Sequence, residues 1–207
     1  MKSFLPLIME DCNEPFALSA IGVTRFVESG PSPSFRRIIS LKAGEEVIEY
    51  ALFWRYDIQH LYDLEHIWVT LTEGVPTNIE ASFHGKFLNA SRLATRTDDG
   101  RFIIYCQPGK HAFLPDPSLF ALLPDSEYCC NRDAGEAGLL VTGPFEGLLH
   151  TDEQINERVK AHIKERWAFS PSWQWRVMKT STVPQMGWDA LKVHVVQTIE
   201  AELSLIP

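Results

Sequence analysis

The segment of residues 46–56, EVIEYALFWRY, alternates its side chains between two faces and is rich in aromatic and β-branched residues. This alternation favours a β-strand. Residues 66–72 alternate in the same way and stop at a Gly-Val-Pro turn signal. Three further short segments, each bounded by Gly, Pro, Asn or Asp, are also strand candidates: 79–83, 102–107 and 138–142. The series predicts a mainly β fold, a β-sandwich with a jelly-roll-like layout.

The period of the apolar residues changes after residue 147. Residues 151–154, Thr-Asp-Glu-Gln, have the pattern of a capping box. Apolar residues then recur every four positions, as expected of a helix, at Ile155, Val159, Ile163 and Trp167. A second stripe of this kind runs from Trp188 to about Leu205. We therefore expect a single domain over 1–207, with a β-sandwich core at 1–147 and a helical C-terminal extension at 148–207 that packs on it.

Charge and composition exclude several classes of partner. The 207-residue chain has 19 basic and 27 acidic residues, a net charge of −8, so it lacks the basic field that attracts nucleic acid. No apolar run approaches the roughly 18 residues of a membrane span, so we expect no integral membrane association. The four cysteines form no CxxC pair, and the apolar start, broken by Pro6, is not typical of a signal peptide. A cytoplasmic protein is expected.

The densest group of ionisable side chains lies between the first two predicted strands. Five of the ten residues 57–66 are Asp, Glu or His. Because side chains alternate along a strand, Asp63 and Glu65 point to one face, and Asp57 and His60 can fold back over it. Carboxylates this close imply a divalent cation, a basic partner or a shared proton. Such a ligand set suits Mg²⁺, Ca²⁺, Mn²⁺ or Fe²⁺ better than structural Zn²⁺.

The alternative interpretation is that these charges form only the solvated turn of a hairpin. Two further histidines, His84 and His111, bear on the choice because each follows a predicted strand close to a glycine. Strand ends of a sandwich often carry ligand-binding groups, although a lone histidine more often has a structural role.

Two other groups of residues have ordinary structural interpretations. The adjacent Cys129 and Cys130 are expected to be loop thiols. Four tryptophans form the second group: Trp167, Trp173, Trp175 and Trp188. Such residues can stack on a sugar, but more often they pack helices onto a sheet.

The middle third of the chain resembles the necrosis-inducing toxin-like proteins and the related sequences named after a vacuolar protein sorting factor. Their shared pattern is an aromatic strand, an Asp, and then H-x-x-D-x-E opening the next strand. It is matched here by YALFWRYD at 50–57 and by HLYDLE at 60–65. The later segments ASFHG at 81–85 and IIYCQPGKHA at 103–112 resemble the family's S-x-H-G and Y-x-A-x-G-S-H-A stretches.

The resemblance implies a jelly-roll-like β-sandwich with a divalent cation near Asp57, His60, Asp63 and Glu65, and with His84 close by. The toxin heptapeptide, however, begins with Gly and carries Arg, a second His and Trp. This chain has other residues at those places: Gln59, Leu61, Tyr62 and Leu64. Membrane lysis is therefore not expected.

The expected function is binding of a divalent metal in a β-sandwich pocket. If the protein is an enzyme, metal-assisted hydrolysis is the class that fits. The ion on Asp57 and Asp63 would lower the pKa of a bound water, Glu65 would orient or deprotonate that water, and His60 or His84 would protonate the leaving group. The alternative is a non-catalytic module whose structural metal bridges to a carbohydrate, a lipid headgroup or another small molecule. An open coordination position would distinguish the two.

Overall fold

The computed structural model describes residues 4–126, 128–141 and 143–207. Most of the regular structure is β, followed by two long helices, α1 (Glu153–Trp167) and α2 (Trp188–Leu205). Two 3₁₀ helices span Pro117–Leu122 and Gly143–Phe145. The strands are β1 (Leu7–Asp11), β2 (Leu18–Phe26), β3 (Gly30–Pro31), β4 (Ile38–Ile39), β5 (Glu45–Tyr56), β6 (Leu61–Thr72), β7 (Val75–Phe83), β8 (Lys86–Asn89), β9 (Ile103–Cys106), β10 (Phe113–Leu114), β11 (Trp175–Val177) and β12 (Gln185–Met186).

The larger sheet has six strands in the order β12-β2-β5-β6-β7-β8. Consecutive strands from β5 to β8 pair antiparallel, as the alternating segments predict. Strand β6 begins at Leu61 rather than at His66, so the polar stretch that we expected to interrupt the sheet belongs to the strand. Its carboxylates, Asp63 and Glu65, break the hydrophobic pattern because they belong to a buried polar cluster.

The smaller sheet has four strands in the order β10-β9-β1-β11, with β1 and β9 parallel. The two sheets share one hydrophobic core, where Trp54 of β5 lies 6.4 Å from Phe113 of β10. The side of the six-stranded sheet that carries Trp54 and its cross-strand partner Asp63 is its inner face. The mainly β fold with C-terminal helices is thus confirmed.

The expected strand at 138–142 is absent from the part of this segment that the structure describes, and Thr142 lies outside the described residues. Gly138 makes only an isolated bridge to His60. The next residue, Leu139, is buried, but its backbone N–H donates to the Asn156 side chain of α1 at 2.8 Å instead of to a neighbouring strand. Leu139 is therefore buried beside a helix rather than in a sheet, while Leu140 is exposed.

Helix α1 is capped one residue later than the sequence pattern predicts. The Asp152 side chain accepts a hydrogen bond from the backbone N–H of Ile155 at 2.8 Å, whereas the Thr151 hydroxyl lies 3.2 Å from the Asn156 side-chain oxygen. An Asp is as good an N-cap as Thr, and its charge also favours the helix N-terminus. The helix buries Val159 and Ile163 as expected.

Helix α2 packs on β2 and β5, on the side of the sheet opposite the inner face. A side chain at Gly22 of β2 would place its Cβ 2.7 Å from Leu191 of α2, so glycine permits this close approach. The segment 148–207 is not purely helical, because it also supplies β11 and β12, one strand to each sheet. Within the described residues, no helix combines the length and the apolar character that crossing a membrane requires.

The outer face of the six-stranded sheet, opposite the inner face, carries Glu49 of β5 and its cross-strand partner Trp68 of β6. The segment between β2 and β5 covers this region. A second, small hydrophobic cluster forms there from Ile39, Val47 and Trp68, with Phe26, Phe35 and Leu41 packed against it.

Candidate metal site

Two backbone segments meet at the inner face of β6. One is the short connection from β5 to β6, and the other is the turn that follows β9. In this turn the backbone N–H of His111 donates to the carbonyl of Gln107 at 2.9 Å. Gly109 has a φ of +67°, and a Cβ there would lie 2.9 Å from the Ile58 side chain. Only glycine allows the turn to approach the β5–β6 connection this closely, and the approach is fixed by Ile58 N–H donating to the Gly109 carbonyl at 2.7 Å.

Three potential ligand side chains converge where these segments meet. Asp57, Asp63 and His111 each offer one ligand atom, and the three atoms all lie within 4.8 Å of one another. The Oδ2 atom of Asp63 lies 3.1 Å from Nδ1 of His111. Asp57 is only 1% exposed. The alternative interpretation, a solvated hairpin turn, is therefore wrong for this residue.

His111 is the most enclosed member of the group. Its ring is fully buried, with a centroid 4.3 Å from that of Trp54 and only 6° between the planes. Nε2 lies 3.6 Å from a carboxylate oxygen of Glu14. Burial alone would lower the pKa of His111, but Asp63 and Glu14 outweigh it and raise the pKa to about 10. Without a metal, His111 is therefore a cation held between two carboxylates.

Asp57 is neutralised from a different side. Its Oδ1 atom accepts hydrogen bonds from the Lys110 ammonium at 2.8 Å and from the backbone N–H of Gln59 at 2.6 Å. Burial opposes ionisation of Asp57, but the nearby His60 and Lys110 outweigh it and lower the pKa of the carboxyl. Lys110 is 8% exposed, and its own pKa is raised because Asp57 overcomes the effect of burial.

The other two predicted ligands, His60 and Glu65, lie beside the group but are not among its three members. His60 Nδ1 donates to the Tyr62 carbonyl at 2.7 Å, and Nε2 lies 3.7 Å from Asp57 Oδ1. Glu65 accepts a hydrogen bond from the Ser82 hydroxyl. Burial, followed by the charge of Asp63, raises the pKa of Glu65 well above its usual range, which favours the protonated carboxyl.

His84, the second predicted catalytic residue, lies at the rim. It follows β7 in a left-handed turn conformation with a φ of 48°, and its side chain is exposed. Nε2 makes a 2.9 Å hydrogen bond with the side-chain oxygen of Gln107. Gln107 also begins the turn that carries His111, so His84 contacts the group only through this turn.

Three residues of the site are not among the predicted ligands. The sequence marks His111 only as a histidine that follows a predicted strand. Lys110, which directly precedes it, is not among the predicted site residues. Glu14 has no local signal, because its carboxylate accepts the Gly109 N–H at 2.7 Å across 95 positions of sequence. Only the tertiary pairing of β1 with β9 brings the segment of Glu14 to this turn.

No family model, no curated protein and no solved structure matches this chain. The resemblance to the toxin-like family therefore remains an expectation from short motifs, and the candidate site has to be argued from its own geometry.

Proposed function

We propose that the chain binds one divalent cation between Asp57, Asp63 and His111. The supporting observation is the mutual approach of their ligand atoms to within 4.8 Å, from two separate segments, in a buried part of the inner face. Small side-chain rotations would bring such atoms to the roughly 2.0–2.6 Å at which these metals are coordinated. His60 Nε2, already 3.7 Å from Asp57, is available as a fourth ligand.

The balance of charge around the group favours a cation. Four carboxyl groups lie together, those of Glu14, Asp57, Asp63 and Glu65, and two cationic side chains, Lys110 and His111, face them. The protein thus places more acidic than basic groups in a region with little solvent. The donors are mainly carboxylate oxygens with imidazole nitrogen, which suits Mg²⁺, Ca²⁺, Mn²⁺ or Fe²⁺.

Lys110 and His111 are also internal competitors of the ion. Lys110 occupies Oδ1 of Asp57, and a protonated His111 has no lone pair to donate. Binding therefore requires that the ammonium moves aside and that His111 releases its proton, so the metal-free form is a stable state and not an empty acidic cage.

A metal-dependent hydrolase is the catalytic form of this proposal. A bound ion would supply Lewis-acid activation of a water molecule. The raised pKa of Glu65 suits this carboxyl to donate a proton near the group, which differs from the base expected from the sequence. His84, exposed at the rim, is the group that a substrate entering from solvent would meet.

A non-catalytic module is the second candidate, in which the ion fixes the turn and bridges to a carbohydrate or lipid headgroup. The burial of Asp57 and His111 favours it, because little of the group faces solvent. The NMR relaxation rate of solvent water, measured with Mn²⁺ bound to the protein, distinguishes the hydrolase from the non-catalytic module. An exchangeable water on the ion supports hydrolysis, and a saturated coordination sphere supports the structural role.

The proposal includes two finer features of the molecule. We infer a jelly-roll-like sandwich from the two sheets that share one core, and a cytoplasmic location from the four cysteines, all of which are free. The connectivity of the two sheets in a crystal structure tests the first inference. The redox state of the four cysteines in cells, measured by thiol labelling, tests the second.

Metal binding itself is tested by calorimetry and thermal unfolding. Protein from which metal has been removed with a chelator is titrated separately with Mg²⁺, Ca²⁺, Mn²⁺, Fe²⁺ and Zn²⁺. The titration with Fe²⁺ is done under anaerobic conditions. A specific ion at a hundred times its dissociation constant should stabilise the fold by about 2.7 kcal/mol. Asp63→Asn should abolish this gain, whereas Asp98→Asn, at an exposed position, should retain it. The proposal is wrong if no ion changes the unfolding temperature and elemental analysis finds no bound metal.

A further inference from the structure

A cavity of about 370 Å³ lies between the first 3₁₀ helix and the start of β11. Its volume falls in the range of roughly 300–1,000 Å³ that small-molecule sites occupy. The lining residues that the structure describes carry no formal charge and include none of the candidate metal ligands: Pro117, Ser118, Ala121, Ser126, Trp173 and Trp175. The cavity is therefore separate from the candidate metal site in both position and chemistry.

Trp173 stands at this cavity in an unusual backbone conformation. Its φ is 53°, in the left-handed region, which is costly for a bulky residue. The fully buried carboxylate of Asp11 holds it there. One oxygen of Asp11 accepts the Trp173 N–H at 2.7 Å, and the other accepts the N–H groups of Ser172 at 3.0 Å and of Asn13 at 2.8 Å. The fold thus fixes the position of this indole at the expense of local strain.

The two tryptophans of the cavity differ in how much of the ring is free. Trp175 is stacked on Phe120, with centroids 5.7 Å apart, and meets Tyr105 edge-on at 5.2 Å. Trp173 has no ring contact with another aromatic side chain among the described residues, and it is 38% exposed. More of the Trp173 side chain than of the Trp175 side chain is therefore left to contact a ligand.

We propose that this cavity binds a pyranose ring of a neutral carbohydrate. The C–H face of a pyranose is apolar and matches the indole face of Trp173. The Ser118 hydroxyl donates to Asp116 at 2.8 Å, so its lone pairs remain to accept a sugar hydroxyl. Among the described residues, the lining has no charged group to pair with a carboxylate or a phosphate, which favours a neutral ligand. This inference does not depend on metal binding.

The test uses the full chain in the presence of EDTA. Methyl α-glucopyranoside, methyl α-mannopyranoside and methyl β-galactopyranoside are the probes, followed by saturation-transfer NMR and calorimetry. At least one should bind with a dissociation constant in about the millimolar range, as expected for one ring in a shallow site. Trp173→Gly should weaken binding by about tenfold or more. Because glycine adopts a positive φ without strain, this variant should keep or raise the unfolding temperature.

Two further variants make the result specific. Trp173→Phe retains a flat ring and should retain part of the affinity. Tyr128→Ala removes an exposed aromatic ring that does not line the cavity and should leave binding unchanged. Weaker binding in Trp173→Gly with an intact fold supports the proposal.

Four outcomes overturn it. The first is that no pyranoside binds, and the second is that Trp173→Gly binds as well as the native chain. The third is that binding is absent in EDTA and appears only in a parallel titration with a divalent cation, which would place the sugar at the metal site instead. The fourth is that decaproline occupies the cavity and the sugars do not, which would make the site a peptide groove. Failure of the metal proposal would leave the measurements in EDTA unaffected.

Discussion

Two buried histidines, His111 and His66, lie on opposite faces of the six-stranded sheet and have opposite charge states. The pKa of His111 is raised to about 10, whereas burial, followed by the positive charge of Arg37, lowers the pKa of His66 to about 3. Both side chains are almost inaccessible to solvent. Burial alone therefore does not determine the charge of a histidine in this fold.

The hydrogen-bond partners explain the difference. His111 lies directly between the carboxylates of Asp63 and Glu14. His66 meets a carboxylate only through Ser34, whose hydroxyl donates to Glu49 at 2.7 Å and lies 3.0 Å from His66 Nε2. One intervening hydroxyl is enough to leave the imidazole neutral, because the favourable charge interaction no longer compensates for desolvation.

The two regions also differ in what they can exchange. On the outer face, the second oxygen of Glu49 accepts the Trp68 indole N–H at 2.6 Å, which completes a network of neutral donors around one carboxylate. On the inner face, several carboxylates and cations are paired through charge, and the group of Asp57, Asp63 and His111 could hold a metal ion. The proposed exchange of ions therefore concerns the inner cluster, while the outer network holds the covering segment on the sheet.

The largest expected difference between the two histidines is the loss of unfolding free energy when each imidazole is removed. His111→Leu leaves Asp63 and Glu14 buried without their cation and should lower the free energy of unfolding by about 3–5 kcal/mol. His66→Leu removes one neutral hydrogen bond while Ser34 still donates to Glu49, so it should cost about 1 kcal/mol. Urea unfolding of chelated protein near neutral pH measures both. Equal losses would show that the contrast in charge has no energetic consequence.

The second expected effect is a stability that falls on both sides of neutral pH. His111 has a folded pKa of about 10 against an ordinary value of 6.5, so its contribution is complete below 6.5 and is lost as pH rises toward 10. His66 has a folded pKa of about 3, so the unfolded chain takes up a proton first and stability is lost as pH falls from 6.5 toward 3.

Each variant should remove one of these two slopes. Urea midpoints of chelated protein, measured from about pH 5 to about pH 9, should flatten on the alkaline side in His111→Leu and on the acid side in His66→Leu. The reverse assignment, or a slope that neither variant changes, would mean that other groups control the pH dependence.

The smallest expected effect concerns Lys110 and metal affinity. Lys110→Gln removes the charge that occupies Asp57 Oδ1, so the metal-free fold should become less stable and the affinity for the preferred cation should rise by about tenfold. Lys86→Gln, at an exposed position in β8, is the matched control and should change neither quantity. Calorimetric titration with that cation measures the difference. An unchanged affinity would indicate that the ion uses the other oxygen of Asp57.

Local periodicity was enough to predict β5 and both helices, because their apolar residues recur at the spacing that burial requires. It did not identify the start of β6, where Asp63 and Glu65 replace apolar residues for the sake of the polar cluster. The strand predicted at 138–142 is wrong for a different reason, since Leu139 is buried where the chain meets α1 and not in a sheet, and Leu140 is exposed. Periodicity indicates which residues are buried, but it does not indicate which element they pack against.

The candidate site was predictable only where its residues are close in sequence. Asp57 and Asp63 are only six positions apart, and the sequence predicts that Asp57, in the connection after β5, folds back over the face to which Asp63 points. Their partners His111 and Glu14 arrive through the pairing of β9 with β1 and through a turn that needs Gly109. No local pattern records such a contact, so the third ligand and the competing cations required the tertiary structure.

The position of β11 and β12 has a consequence for synthesis of the chain. Met9 of β1 pairs with Val177, and Gly22 of β2 pairs with Met186, so the earliest strands find their last neighbours more than 160 positions later. Until that late segment leaves the ribosome, one edge of each sheet has no partner and can pair with other chains. Both sheets can therefore be completed only after residues 175–186 have been synthesised, and until then the earlier strands are exposed to such pairing.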